Sequence, residues 1–263
     1  MFSVIFPGQG SQMIGMGKEF YENFDYVREY FNQADDILKK KLSKIILNGP
    51  KDQLDQTDNT QPAIFLISYS IFQAIKKESN FKIKDAKFFA GHSLGEYSAL
   101  CCAESINFEQ TIRLLKHRGE SMQSAMPKGE GGMMAILGLN INQINEIFQI
   151  NKDKFKCFVA NDNSNGQIVI SGKVNSLELL GDELKKKKIK FITLPVSAPF
   201  HSPLMNNATN EMKEIINNTN LFDPIINIVS NVTGKPVNDS SEIKKLLINQ
   251  IEKPVRWRES VIN

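Results

Sequence analysis

Cysteine and histidine are scarce in this 263-residue chain, with 3 of each and 1 tryptophan. Cys101, Cys102 and Cys157 make no disulfide framework, and the adjacent pair reads as small core residues on a helix. His92, His117 and His201 show no ligand spacing among themselves or with the cysteines, so no metal is expected. No apolar run approaches the roughly 20 residues of a membrane span. The start, Met1-Phe2-Ser3-Val4-Ile5-Phe6-Pro7, lacks the basic and apolar regions of a signal peptide, which makes the cytoplasm the expected location. Charge of one sign is also lacking: a net +3 is too small to imply a nucleic-acid partner. Solvated helix faces account for the clusters Lys39-Lys40-Lys41 and Lys185 to Lys188. With 41% hydrophobic and 23% charged residues, the chain has the composition of a globular protein able to bury a large core.

Strand and helix patterns alternate along it. A strand near Ser3 to Phe6 enters the loop Pro7-Gly8-Gln9-Gly10-Ser11-Gln12, helical patterns follow to about Leu42, and another helix is read from about Pro62 to Lys77. That alternation predicts a mostly parallel sheet with helices on its faces. From Gly132 the order changes to strand (Met133 to Leu137), helix (Ile141 to Phe148), strand (Phe155 to Val159), hairpin (Asn163 to Gly166), strand (Gln167 to Ser171), helix (Asn175 to Lys186) and strand (Lys190 to Leu194). Such a β-α-β-β-α-β order is the signature of a ferredoxin-like unit. It predicts an inserted subdomain at 128–196 within a large domain made of 1–127 and 197–263.

The richest stretch is Gly91-His92-Ser93-Leu94-Gly95, between a predicted strand (Ala86 to Ala90) and a predicted helix (Glu96 to Ser105). Glycines on both sides of a serine permit a strained strand-to-helix turn that exposes the hydroxyl as a nucleophile, with helix N-terminal amides facing a developing oxyanion. A glycine-rich turn with a capping serine is the alternative. Gly8-Gln9-Gly10 is neither a dinucleotide fingerprint, since Met13 stands where the third glycine is needed, nor a phosphate loop.

A serine nucleophile needs a base. His92 adjoins Ser93 and leaves the turn in another direction, while His117 falls opposite the stripe Phe108, Ile112, Leu115, Gly119 and Met122 on the helix from about Phe108 to Ala125. His201 remains, in the proline-bracketed loop Pro199-Phe200-His201-Ser202-Pro203, as general base or as a satisfied structural histidine. Arg118 lies at the edge of the same stripe and calls for an anionic partner, either an internal carboxylate or the free carboxylate of a substrate.

Together the motifs resemble a family, the malonyl-CoA:acyl-carrier-protein transacylases of fatty acid synthesis, and more loosely the acyltransferase domains of polyketide synthases. The likeness runs from Phe6-Pro7-Gly8-Gln9-Gly10-Ser11-Gln12 through Thr60-Gln61-Pro62-Ala63, Gly91 to Tyr97, Arg118-Gly119, Asn161 to Gly172 and Pro199 to Met205. It ends at Gln250 and Pro254-Val255-Arg256-Trp257. It implies an α/β-hydrolase-like large domain with a ferredoxin-like insert, and a malonyl group moved from malonyl-CoA to the phosphopantetheine thiol of acyl carrier protein. Carried over by position, it implies Ser93 as acyl-carrying nucleophile, His201 as base and acid, and Arg118 as clamp on the malonyl carboxylate. The backbone N–H groups of Gln9 and Leu94 would form the oxyanion hole, and the Gln250 carbonyl would orient His201. His92, Asn161 and Asn163 would line the substrate site. No cofactor is implied, and a monomer is expected. Asn165 stands where the family usually has proline, and relatives continue beyond the Trp257 motif, so the chain reads as C-terminally incomplete. A serine hydrolase sharing the turn and a non-catalytic carrier-binding module are the rival readings.

Overall fold

The structure, a computed structural model, describes residues 2–150 and 155–263. Among the described residues are eight strands: β1 (Phe2–Phe6), β2 (Ala86–Gly91), β3 (Gly131–Leu137), β4 (Cys157–Ser164), β5 (Gln167–Lys173), β6 (Lys190–Thr193), β7 (Ile228–Val229) and β8 (Pro236–Val237). They form two four-stranded sheets. The chain divides into two compact units, one of Met1–Glu120, Glu214–Ser230 and Pro236–Lys245, the other of Ser121–Lys213, Asn231–Lys235 and Leu246–Asn263. No helix among the described residues is long and apolar enough to cross a membrane.

In the first unit the sheet runs β1-β2-β7-β8, parallel from β1 to β7 with β8 antiparallel at one end. A parallel pair needs a crossover, and helical segments supply it. The helix Leu94–Cys102 follows β2 directly and packs against β1, β2 and the helix Thr57–Glu78. Phe6 of β1, Phe89 of β2 and Phe72 of that long helix meet in one cluster, with ring centroids 5.6 to 6.1 Å apart. Such aromatic pairs contribute about 0.5–1.5 kcal/mol each beyond their area burial, so the strand that leads into Ser93 is anchored from two directions.

The long helix begins at Thr57, five residues before the expected start at Pro62. Proline is a good first helical residue, which drew the boundary too late. Here Pro62 lies inside the helix, and the turn before it is held by the Thr60 hydroxyl, which donates to the Leu54 carbonyl at 2.6 Å and to the Gln56 carbonyl at 3.0 Å.

The second unit carries an antiparallel sheet of order β4-β5-β3-β6. In chain order it reads strand, helix Ile141–Ile150, two strands, helix Val174–Lys186, strand. Alternation on β5 sends Ile168 and Ile170 into a core with Ile136, Ile144, Leu180 and Leu184, leaving Val169 and Ser171 on the other face. Each fully buried aliphatic side chain there contributes about 1.5–3 kcal/mol.

Strand β4 spans Cys157–Ser164 and not Phe155 to Val159. Its polar second half, Asn161-Asp162-Asn163, carries no strand pattern; it pairs with β5, Asn161 opposite Val169 and Asp162 opposite Ile168, and is also bonded to a segment remote in sequence. The Asp162 N–H donates to the Val255 carbonyl at 2.9 Å, the Val255 N–H donates to the Ala160 carbonyl at 2.8 Å, and Arg258 grips the Asp162 carboxylate at 2.8 to 3.1 Å. Through these bonds and those of the Pro199–Pro203 loop, residues 197–213 and Leu246–Asn263 group with the antiparallel sheet.

Candidate active site

Ser93 caps the helix Leu94–Cys102 with φ 54° and ψ −107°, outside the regions a non-glycine residue ordinarily occupies. The flanking glycines explain how the chain makes this turn. A Cβ on Gly91 would lie 1.9 Å from the Gly95 carbonyl oxygen, and a Cβ on Gly95 would lie 2.6 Å from the Phe6 carbonyl oxygen. No side chain fits at either place, so a serine between two glycines is the requirement of a tight strand–turn–helix crossing against β1. The His92 N–H donates to the Phe6 carbonyl at 3.1 Å, the Gly95 N–H to the His92 carbonyl at 2.9 Å and the Glu96 N–H to the Ser93 carbonyl at 3.0 Å, which closes the turn.

The loop after β1 lies against this turn, because a Cβ on Gly8 would come 2.9 Å from His92 Nδ1. Gln12 ties the loop: its Oε1 accepts from the Gly10 N–H at 2.8 Å and its Nε2 donates to Asp55 Oδ1 at 2.9 Å. Lys51 first, and Gln12 after it, hold the Asp55 carboxyl below its ordinary range. Gln9 is half-buried at the tip of this loop, and Leu94 is buried as the first residue of the helix after Ser93, where backbone N–H groups lack intrahelical acceptors.

Arg118 is 1% exposed and sits in the helix Phe108–Ser124. Gly119 brings that helix close to the start of the long one, since a Cβ there would lie 2.6 Å from Asp58 Cα. The approach delivers the guanidinium to two partners: Nη1 donates to Gln61 Oε1 at 2.7 Å and Nη2 donates to Ser93 Oγ at 3.0 Å. It also lies over the Tyr97 ring, 5.5 Å from its centroid. Burial pulls the Arg118 pKa below its ordinary value, with Tyr97 and Glu96 acting in the opposite direction, and burial pushes the Tyr97 phenol up to about 12. A buried cation one hydrogen bond from the half-buried turn serine favours an anionic group placed beside that serine.

His201 is 4% exposed, with φ 56°. Left-handed backbone costs a non-glycine residue about 1–2 kcal/mol, so packing must hold it. Its Nδ1 lies 2.7 Å from the carbonyl oxygen of the fully buried Gln250. A carbonyl only accepts, so Nδ1 carries the proton and Nε2 is the acceptor nitrogen of the neutral ring, the form a general base requires. Of the five non-glycine residues with positive φ among those described, Lys39, Glu104 and Lys188 are exposed residues at helix C-termini. The other two are Ser93 and His201.

The remaining candidates fall as follows. His92 is half-buried beside Ser93, and the His117 side chain is 56% exposed with Nδ1 3.6 Å from Glu120. Asn161 is buried in β4 as the bridge partner of Val255, and Asn163 donates across the hairpin to Gln167 Oε1 at 3.0 Å. His92, Ser93, Leu94, Gln9 and Arg118 belong to the first unit, and His201, Gln250, Asn161 and Asn163 to the second. Sequence reasoning gave Gln61, Gln12 and Tyr97 no role. The signal was present, since Gln61 and Gln12 stand in motifs already singled out, but which side chain each meets depends on packing. Among the described residues no group of three or more His, Cys, Asp or Glu is placed to hold a metal ion.

Residues 3–263 match the family model described as the acyl transferase domain. The chain is 40% identical over 259 residues to the malonyl CoA-acyl carrier protein transacylase of Bacillus subtilis strain 168, covering 98% of this chain and 80% of that one. The crystal structure of acyl-carrier-protein-S-malonyltransferase from Bartonella henselae superposes with a TM-score of 0.95 at 43% identity, over 100% of this chain and 84% of that one. A structure of a type II PKS acyl-carrier protein in complex with its malonyl-transacylase gives 0.94 at 36% identity, over 99% and 84% of the two chains. With its turn serine, buried arginine and carbonyl-bound histidine, the chain belongs to the acyl transferase domain family.

Proposed function

We propose that this chain is a malonyl-CoA:acyl-carrier-protein S-malonyltransferase of fatty acid biosynthesis, acting through a malonyl-serine ester. The observation that carries the reading is the buried Arg118, fixed by Gln61 through one nitrogen and 3.0 Å from Ser93 Oγ through the other. A carboxylate at the far end of a three-carbon acyl group meets that guanidinium when its thioester carbon meets the serine, which selects a malonyl group over an acetyl one.

In the first half-reaction His201 Nε2 takes the Ser93 hydroxyl proton as Oγ attacks the thioester carbon of malonyl-CoA. Backbone N–H groups of Gln9 and Leu94 hold the oxyanion. The carbon–sulfur bond breaks, CoA leaves with the proton from His201, and the ester remains on Ser93. In the second half the phosphopantetheine thiol of acyl carrier protein gives its proton to His201 and attacks the ester, and Ser93 recovers its proton as the malonyl thioester departs. The Gln250 carbonyl keeps Nδ1 protonated throughout, in the orienting role an aspartate has in serine proteases. His92, Asn161 and Asn163 line the substrate site in this reading. No step calls for a metal or cofactor.

The architecture is read as an α/β-hydrolase-like large domain, 1–127 and 197–263, carrying a ferredoxin-like insert at 128–196. The strand order β4-β5-β3-β6 with its two crossing helices supports the second part. The protein is read as a cytoplasmic monomer. Brief mixing with malonyl-CoA followed by intact-mass measurement tests the function: one malonyl group on Ser93, removed by holo acyl carrier protein, is expected. An adduct lost equally fast to water would make the protein a hydrolase.

A further inference from the structure

We propose that the antiparallel sheet of the second unit positions His201, with Ser171 as the positioning residue; this rests on His201 being the general base. Ser171 belongs to β5, on the face opposite the core residues Ile168 and Ile170, and is fully buried. Its hydroxyl donates to the Phe200 carbonyl at 2.5 Å, across 29 residues of sequence. That carbonyl belongs to the peptide that enters His201, so the bond holds the unit whose rotation sets the left-handed φ of 56°. Beside it, the Ser202 hydroxyl donates to the Pro199 carbonyl at 2.6 Å, closing the loop from the other side.

The neighbouring strand contributes by what it lacks. A Cβ on Gly131 of β3 would lie 2.4 Å from Pro199 Cδ and 2.9 Å from Met126 Sδ, so the proline ring seats on the strand only because the position is glycine. Two adjacent strands thus fix the loop at Pro199 and Phe200, and Gln250 fixes the ring at Nδ1. A histidine in strained backbone keeps its orientation only when its surroundings over-determine it. Without the Ser171 hydroxyl the Phe200 carbonyl loses a buried donor, the peptide is free to relax toward ordinary φ, and the imidazole turns away from the Gln250 carbonyl.

Single-turnover acylation by malonyl-CoA, together with proton NMR of the imidazole N–H region, tests this on the full chain. With 3 histidines in the sequence, the His201 signal is assigned by its loss in His201→Ala. Ser171→Ala is expected to slow acylation at saturating malonyl-CoA by about 10-fold with the half-saturating concentration unchanged, and to shift or erase the His201 Nδ1–H resonance. Ser171→Thr, which keeps the hydroxyl, is expected to recover both. A folded Ser171→Ala with normal acylation and an unmoved resonance, even if it melts earlier, overturns the proposal and leaves Ser171 a packing residue. Should Ser171→Ala not fold, Ser171→Cys gives the same two readouts, because a thiol fills the site, being slightly larger than the hydroxyl, and donates only weakly. Full acylation by His201→Ala would instead remove the base assignment, whatever Ser171 does.

Discussion

Ser93 and His201 share an unusual backbone, with φ of 54° and 56°, but the two units hold it by different means. In the first unit the turn is made mostly by its own neighbours: Gly91 and Gly95 remove the side chains that would collide, and hydrogen bonds among His92, Ser93, Gly95 and Glu96 close it, with one more from His92 to Phe6 of β1. In the second, the loop closes on itself through the Ser202 hydroxyl and the Pro199 carbonyl, but the bonds that direct the imidazole come from outside it. The carbonyl of Gln250, 49 residues from His201, and the hydroxyl of Ser171, 29 residues from the Phe200 carbonyl that it holds, supply them. The turn serine is thus placed largely by a pentapeptide, whereas the buried histidine is placed by the fold.

The largest expected effect lies on the local side. Ser93→Ala should form no acyl ester and lose malonyl exchange altogether, seen by intact mass and by transfer assay; normal exchange would show that the turn only caps a helix. Next comes the histidine. His201→Ala should slow transfer by about 10²–10⁴-fold, the usual contribution of a positioned acid or base. His117→Ala should change it little, because that ring faces solvent beside Glu120. Equal losses from the two substitutions would place the base outside the Pro199–Pro203 loop.

Arg118→Ala sharpens the same contrast within the first unit, where the guanidinium meets Ser93 Oγ. Charge-assisted hydrogen bonds are worth about 1.5–3 kcal/mol each, so malonyl transfer should fall by at least about 10-fold while acetyl transfer does not fall with it. Rates with malonyl-CoA and acetyl-CoA on both proteins decide between a substrate clamp and an internal support for Ser93 Oγ. The smallest effect should come from the cysteines. Burial pushes the thiols of Cys101 and Cys157 up to about 12 and that of Cys102 well above its ordinary value. Iodoacetamide at pH 8 should therefore leave the native chain unlabelled by mass. The same shifts imply that stability declines as pH rises above the ordinary thiol range near 9, because the unfolded thiols ionise there and the folded ones do not.

Much of the candidate site was legible because its features are local or its residue types scarce. The Gly91 to Gly95 spacing predicts the turn, 3 histidines allow elimination, and a charged residue at the edge of an apolar stripe marks Arg118 for burial. The polar half of β4 was not legible, since Asn161 and Asp162 have no strand pattern of their own and, besides pairing with β5, are bonded to Val255 far along the chain. Nor was the start of the long helix, where Pro62 outweighed the side chains of the turn before it.

By itself the sequence determined the order of elements, the strained serine turn and the candidate residues for the proposed chemistry. Those properties depend on side-chain size and on neighbours a few positions apart. Only the tertiary structure decided that Arg118 rests on Gln61 and reaches Ser93, that the Gln250 carbonyl sets the His201 tautomer, and that Ser171 holds the peptide before it. Each of those joins residues 25 to 57 positions apart. Their meeting depends on where glycines such as Gly119 and Gly131 let backbone approach backbone or ring, which no local pattern encodes.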